Sequence, residues 1–253
     1  MKGGSAKRSQ GGKRGFYLLL AALVVVGVGV LSWLASRGQG GVSRVDSSVA
    51  PIANQGHVIG SDTALVEIVE FADFECPACG TFANLTEPDV RQRLVNTGLA
   101  RFRFIDFPLD MHRNTWAAHL AAWCAGEQQK FWEMHDLIFM NQDRWNGEAT
   151  RRPESVLEPL ARQAGLDMEQ YGSCMESRKY HPQIRANYDE AIRRGIPSTP
   201  TFQIGGTQLL GTRSYDEFKR VVDAEIAAAR NRPARPADSA KQVAPRAGAP
   251  RGR

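Results

Sequence analysis

Leu65-Val66-Glu67-Ile68-Val69-Glu70-Phe71 runs into Ala72-Asp73-Phe74-Glu75 and then Cys76-Pro77-Ala78-Cys79, so two thiols stand where an apolar strand ends and a helix should begin. Pro77 suits the first helical position, which needs no backbone N–H. A helix N-terminus carries roughly half a positive charge in aligned peptide dipoles and several unpaired N–H groups, and both favour a thiolate over a thiol at Cys76. Placement alone therefore points to redox chemistry. The competing use of a CxxC is half of a zinc site, whose companion is a second CxxC or a histidine pair at ligand spacing. Cys124 and Cys174 stand singly, about 50 residues apart, and the five histidines show no HxxxH spacing. The metal reading lacks its second half.

The 253 residues suffice for one large domain or two small ones, with an ordinary 42 % hydrophobic content. Residues 16 to 35 form an uncharged apolar stretch of 20, long enough as a helix to cross a bilayer core of roughly 30 Å. Lys2, Lys7, Arg8, Lys13 and Arg14 precede it without an acidic residue, so the expected arrangement is a cytoplasmic basic N-terminus (1–15), a single-pass anchor in the cell membrane (16–35), and everything beyond it extracytoplasmic. A cleaved signal peptide is the alternative. It fits less well, because Trp33 stands where an A-x-A-like cleavage site wants a small residue. Export would put the thiols in an oxidising space.

A net charge of +5 suggests nucleic acid until it is counted by segment: residues 46 to 230 hold 19 basic against 26 acidic residues, and the cation excess lies in the termini. No nucleic-acid partner is expected. The tail 231–253, with Pro233, Pro236, Pro245 and Pro250 among Arg, Ala and Gly, has almost nothing to bury and reads as disordered. Ser36 to Gly56 is rich in Gly and Ser and reads as a flexible linker, with folded structure expected from about residue 57.

Past the first strand, Pro88 should kink or restart the helix and Gly98 should close it. Arg101 to Phe107 alternates polar and aromatic as a strand. From Asn114 to Arg194 the period is helical, with helices expected around Trp116–Cys124, Phe131–Ile138, 154–164, 168–176 and 182–194. Thr201-Phe202-Gln203-Ile204, Gly205-Gly206 and Thr207-Gln208-Leu209-Leu210 then read as a hairpin. Ser214 with Glu217 is a capping box for a last helix. His112, His119, His135, Trp116, Trp123 and Trp132 read as core or surface residues rather than ligands.

That order, together with Val69–Cys79, Asp106-Phe107-Pro108-Leu109, Phe131-Trp132-Glu133-Met134-His135-Asp136 and Ser198-Thr199-Pro200-Thr201-Phe202, resembles the DsbA-like thiol-disulfide oxidoreductases over residues 57–230. The resemblance implies an α/β, thioredoxin-like fold with an inserted all-helical subdomain at about 112–195, here preceded by one transmembrane helix. It implies that the Thr199–Pro200 bond is cis and faces the CxxC, with Thr199 on the substrate side; read alone, the pair would be an ordinary trans turn. It also implies a buried acid beneath the cysteines. Period two sets Glu70 with Val66 and Ile68, and Glu67 with Val69 and Phe71, so the pattern leaves the choice open; the resemblance selects Glu70.

Cys76 and Cys79 would then form the redox disulfide, with no cofactor and no metal. Reduced exported proteins would be the substrates, and a membrane quinone-linked protein of the DsbB or VKOR type the reoxidant. Ala78 replaces the histidine of the family's strongest oxidant, so a less extreme oxidant is expected. Cys124 and Cys174 would be a structural disulfide, as in some members of the family; buried free thiols are the alternative. The rivals are a reductase or isomerase of the same fold, and a metal-delivery module using Cys76 and Cys79.

Overall fold

The computed structural model describes residues 11–37, 41–45, 52 and 55–231, in two compact units that part between Gly41 and Val42. The expected tail 231–253 beyond its first residue, most of the 36–56 linker and the first ten residues of the basic N-terminus lie outside the described residues. The first unit contains one helix, α1 (Gly11–Arg37), which covers the stretch expected as an anchor. Among the described residues no helix is long and apolar enough to cross a membrane.

In the second unit the strands are β1 (Val42–Arg44), β2 (His57–Ile59), β3 (Val66–Ala72), β4 (Ala100–Asp106), β5 (Thr201–Ile204) and β6 (Thr207–Leu210). They form one sheet in the order β1-β6-β5-β3-β4-β2, in which only β3 and β4 run parallel. The connection between parallel strands is necessarily a crossover. Here it comprises α2 (Pro77–Leu85), α3 (Glu87–Val90) and a π-helical turn at Arg91–Val95. The break at Thr86 follows from Pro88: with no N–H to give, it is tolerated only in a new first turn. Gly98, at φ 77°, ends the crossover.

Six helices follow β4: α4 (Thr115–Glu127), α5 (Phe131–Met140), α6 (Gln142–Trp145), α7 (Glu154–Gln163), α8 (Met168–Ser177) and α9 (His181–Arg193). A last helix, α10 (Tyr215–Arg230), starts on the Ser214–Glu217 capping box. The two faces of β3 sort as period two requires. Val66 and Ile68 join Phe82, Phe102, Phe202 and Phe218, while Val69 and Phe71 join Ile105, Ala191 and Ile196.

Two details differ from the sequence reading. First, β1 lies within the span expected as linker and pairs with Thr207–Leu209, since β6 offers an open edge that a short neighbouring segment can satisfy. Second, the helical insertion, expected to run to about 195, gives up α9 to the sheet. Ala191 packs beside Phe71 and Ile105, Tyr188 meets Phe107 at 5.5 Å, and Asn187 donates to Asp106 Oδ2 at 2.5 Å. The insertion proper is α4–α8, and its core around Leu120, Met134, Ile138 and Trp145 runs on into Phe74, Cys79 and Phe104 and takes in Ile184 of α9.

Candidate active site

β3 delivers Asp73, Phe74 and Glu75 to the start of α2, where Cys76 is the N-cap (φ −70°, ψ 122°) and Pro77 the first helical residue. Cys76 is 7 % exposed and Cys79 fully buried, both as free thiols. The Thr199–Pro200 bond is cis, and it brings the Thr199 carbonyl to 3.5 Å from the Cys76 sulfur, whose thiol donates to it. Gly211 N–H donates to the Pro200 carbonyl at 2.8 Å, and the Thr212 hydroxyl donates to the Ala78 carbonyl at 3.0 Å. The cysteines and the proline loop are thus held to each other by side-chain donors on backbone carbonyls.

The sulfurs are driven apart electrostatically. A hydrogen bond from Cys79 holds Cys76 down to about 6 from an ordinary 9.0; burial opposes this, while the Thr199 side chain and the N–H groups of Cys79 and Ala78 add to it. The Thr199 hydroxyl, buried without a partner beside the neutral thiol, is a donor available to the thiolate. Burial pushes Cys79 well upward, and its hydrogen bond to Cys76 and the nearby Cys76 and Glu70 charges push the same way. One sulfur is a ready nucleophile and leaving group; the other keeps its proton. Alkylation by iodoacetamide should therefore modify Cys76 alone in the reduced protein, with a rate that falls as pH drops through about 6. A midpoint close to 9.0, where an ordinary thiol titrates, would contradict this environment.

Of the two glutamates left open by the pattern, Glu70 is the buried one, 1 % exposed. Glu67 instead pairs with Arg101 at 2.8 Å and Arg103 at 2.9 Å at the sheet surface. Burial holds the Glu70 carboxyl well above the usual carboxylate range, the neighbouring Glu87 charge raises it further, and Arg91 opposes them. Cys124 and Cys174 are joined as a disulfide between α4 and α8, with Cα atoms 5.8 Å apart.

Several supporting residues gave no sequence signal. Gln142 of α6 donates to the carbonyls of Phe74 at 2.7 Å and Cys76 at 2.9 Å. A Cβ at Gly80 would come within 2.8 Å of its Oε1, so a larger residue there would push the Gln142 amide aside. Glu75 accepts from the N–H groups of Asn114 and Gly147, both at 2.6 Å, tying the cysteine loop to the insertion. Asp73 accepts from Leu109 N–H and contacts His112 Nδ1, both at 2.7 Å; burial alone would raise its carboxyl, but these bonds and Thr115 hold it low. His119 is buried on Asp106 and Trp123 donates to the same carboxylate, as core residues. Among the described residues no three His, Cys, Asp or Glu side chains gather as a metal site.

Residues 53–224 match the family model described as Thioredoxin. The chain is 34 % identical over 190 residues to Na(+)/H(+) antiporter NhaA 3 of Salinispora tropica, covering 75 % of this chain and 28 % of the antiporter. It thus spans about a third of the length of the antiporter relatives it matches. It is 26 % identical to the probable disulfide bond formation protein D of Bacillus anthracis, over 84 % of this chain and 94 % of that one. The crystal structure of Wolbachia pipientis alpha-DsbA1 superposes with a TM-score of 0.63 at 22 % identity, covering 73 % of this chain and 97 % of that one, which is a likeness of fold. The chain therefore belongs to the thioredoxin family, and its fold is like that of the DsbA-type protein it superposes on.

Proposed function

We propose that this domain is an extracytoplasmic thiol-disulfide oxidase that introduces disulfides into exported proteins. The observation that carries the reading is the split between the two sulfurs, with Cys76 lowered to about 6 and Cys79 raised by burial. Stabilising the Cys76 thiolate stabilises the reduced enzyme, which makes its disulfide the more oxidising. In the oxidised enzyme a substrate thiolate bonds to the Cys76 sulfur, and the Cys76–Cys79 bond breaks with its electron pair on Cys79. A second substrate thiolate then attacks the substrate sulfur of the mixed disulfide, and Cys76 leaves as thiolate. Backbone groups at cis Thr199–Pro200, next to Cys76, can pair with an extended substrate segment.

Glu70 supplies the proton that Cys79 takes on leaving. Burial raises its carboxyl, so it holds that proton more tightly than an exposed glutamate does. Glu70→Gln should slow substrate oxidation about tenfold or more near neutral pH while leaving the fold intact. Rates unchanged across the pH range would reject the role.

The uncharged apolar stretch 16–35 and its basic flank in the sequence support a single-pass arrangement with the N-terminus in the cytoplasm. The Cys124–Cys174 bridge supports an oxidising compartment. Protease added outside intact cells should remove the folded domain, with the remnant resisting a carbonate wash; a fully protected domain would contradict the placement. Turnover then needs a membrane quinone-linked reoxidant of the DsbB or VKOR type.

Oxidative refolding of a reduced substrate, together with a glutathione redox titration, tests the direction. The expected potential lies between the roughly −120 mV of a strong oxidant lacking nothing at the CxxC and the roughly −270 mV of a reductase. A value at or below the latter would make the protein a reductase, and rescue of scrambled substrates an isomerase. Stoichiometric copper or zinc on the purified protein without thiol oxidation would make Cys76 and Cys79 a metal-delivery pair.

A further inference from the structure

Beneath the active-site helix three buried polar atoms have no hydrogen-bond partner: Oε2 of Glu70, Oε2 of Glu87 and Nε2 of His135. All three residues are at most 1 % exposed. An unmet buried donor or acceptor costs about 1–3 kcal/mol, so a group of them calls for an occupant or a use. His135 Nδ1 lies 2.8 Å from Asp136 Oδ1. The same nitrogen lies 3.1 Å from Arg91 Nη2, which can only donate, so the ring proton sits on Nδ1 or Nε2 according to which neighbour Nδ1 serves, and Nε2 stands 3.8 Å from Glu87 Oε2. In either tautomer a proton or a water between Nε2 and Oε2 joins the histidine to the carboxylate.

Arg91 fixes this geometry. Its Nε donates to Glu87 Oε1 at 2.7 Å, its two terminal nitrogens fork onto Asp136 at 3.1 and 3.0 Å, and Nη2 is 3.1 Å from His135 Nδ1. The guanidinium also lies 4.5 Å over the Trp132 ring. Arg91 opens the π-helical turn, an irregularity often found where a helix serves a site. Asp136 is 48 % exposed and, with Asn84, Glu87, Arg91 and Gln92, lines a surface cleft of about 360 Å³. The charged groups around Glu70 are Glu87, Arg91 and Cys76, and Cys79 feels the Glu70 charge.

We propose that Glu87 is the second carboxylate of a proton route from this cleft, through His135 and Glu87 to Glu70 and on to the Cys79 sulfur, with Arg91 as its positioning residue. The route rests on the Glu70 role proposed above. When the Cys76–Cys79 bond breaks, the electron pair on Cys79 takes the Glu70 proton, giving a neutral thiol and a carboxylate. That carboxylate, beside Glu87, is reprotonated from water in the cleft by way of His135 and Glu87; in the reverse direction the proton leaves along the same path.

The test is a set of pH–rate profiles for oxidation of a reduced peptide by wild type, Glu87→Gln, Glu70→Gln and the double variant. Glu87→Gln should slow the reaction about tenfold at neutral pH and shift the profile. In the Glu70→Gln background the same change should matter less than about twofold, because the route already ends before the sulfur. No slowing by Glu87→Gln where Glu70→Gln is slow overturns the route alone. Equal slowing by Glu87→Gln in both backgrounds overturns it too. A silent Glu70→Gln removes the Glu70 role itself. A solvent isotope measurement on the wild type needs no variant to fold: a rate that falls with deuterium fraction supports proton transfer in the rate-setting step, and a rate independent of it overturns the relay.

Discussion

Cys76→Ser abolishes disulfide transfer, while Cys79→Ser, given a disulfide-bonded substrate, stops at a covalent enzyme–substrate complex. The asymmetry follows from where α2 puts the two sulfurs. Cys76 caps the helix, 7 % exposed and touching the Thr199 carbonyl, and is ionised above about 6. Cys79, one turn in, is fully buried and keeps its proton. At neutral pH an ordinary thiol is ionised to about one part in a hundred or less, so ionisation alone separates the two sulfurs by roughly two orders of magnitude. Burial widens the gap. In Cys79→Ser no partner thiol can resolve the mixed disulfide, which should persist on a non-reducing gel. That variant also loses the largest influence holding Cys76 low, so its remaining thiol should titrate above about 6. A mixed disulfide formed through Cys79 in the Cys76→Ser protein would overturn this assignment.

The parts of the fold that were legible are those where local chemistry and the final packing agree. The apolar run, Pro77 at the first helical position, the Gly205–Gly206 hairpin and the Ser214–Glu217 box each carry their own backbone reason, and the elements formed there. Glu70 and Glu67 show where a one-dimensional pattern stops. Both faces of β3 are covered, so period two assigns each glutamate a face without saying which face holds cations; Arg101 and Arg103, from the neighbouring strand, keep Glu67 at the surface. Glu87 was hidden for a related reason. Placed just before Pro88 it reads as a solvated residue of a helix start, and only Arg91 one turn later and the docking of α5 bury it. Gln142 lies in a four-residue helix too short to show a period, yet it holds the cysteine loop through two carbonyls. The strand β1 has three residues in Gly- and Ser-rich surroundings and forms because β6 has an edge to offer.

Removing the second cysteine pair should cost stability rather than chemistry. Cys124→Ala with Cys174→Ala opens a link between residues 50 apart, worth about 4 kcal/mol at most in the chain-entropy model. α8 is the element that should feel it. Of its own residues Tyr171 and Cys174 are buried, with Met168 and Met175 half-buried beside them, so the bridge carries a large share of its hold on the insertion core. Urea unfolding of the variant, compared with wild type in which only Cys76 and Cys79 are reduced, should show a loss of several kcal/mol, with α8 amides exchanging first. Peptide oxidation at a temperature where the variant is folded should be nearly unchanged, because α8 supplies no contact to the Cys76 loop, which hangs instead on Asn114, Gln142 and Gly147. A loss below about 1 kcal/mol would mean that α8 is held by packing. A collapse of activity in the folded variant would mean that the bridge positions the insertion over the active site, a coupling that would have to run through α4 to Asn114, where the insertion joins Glu75.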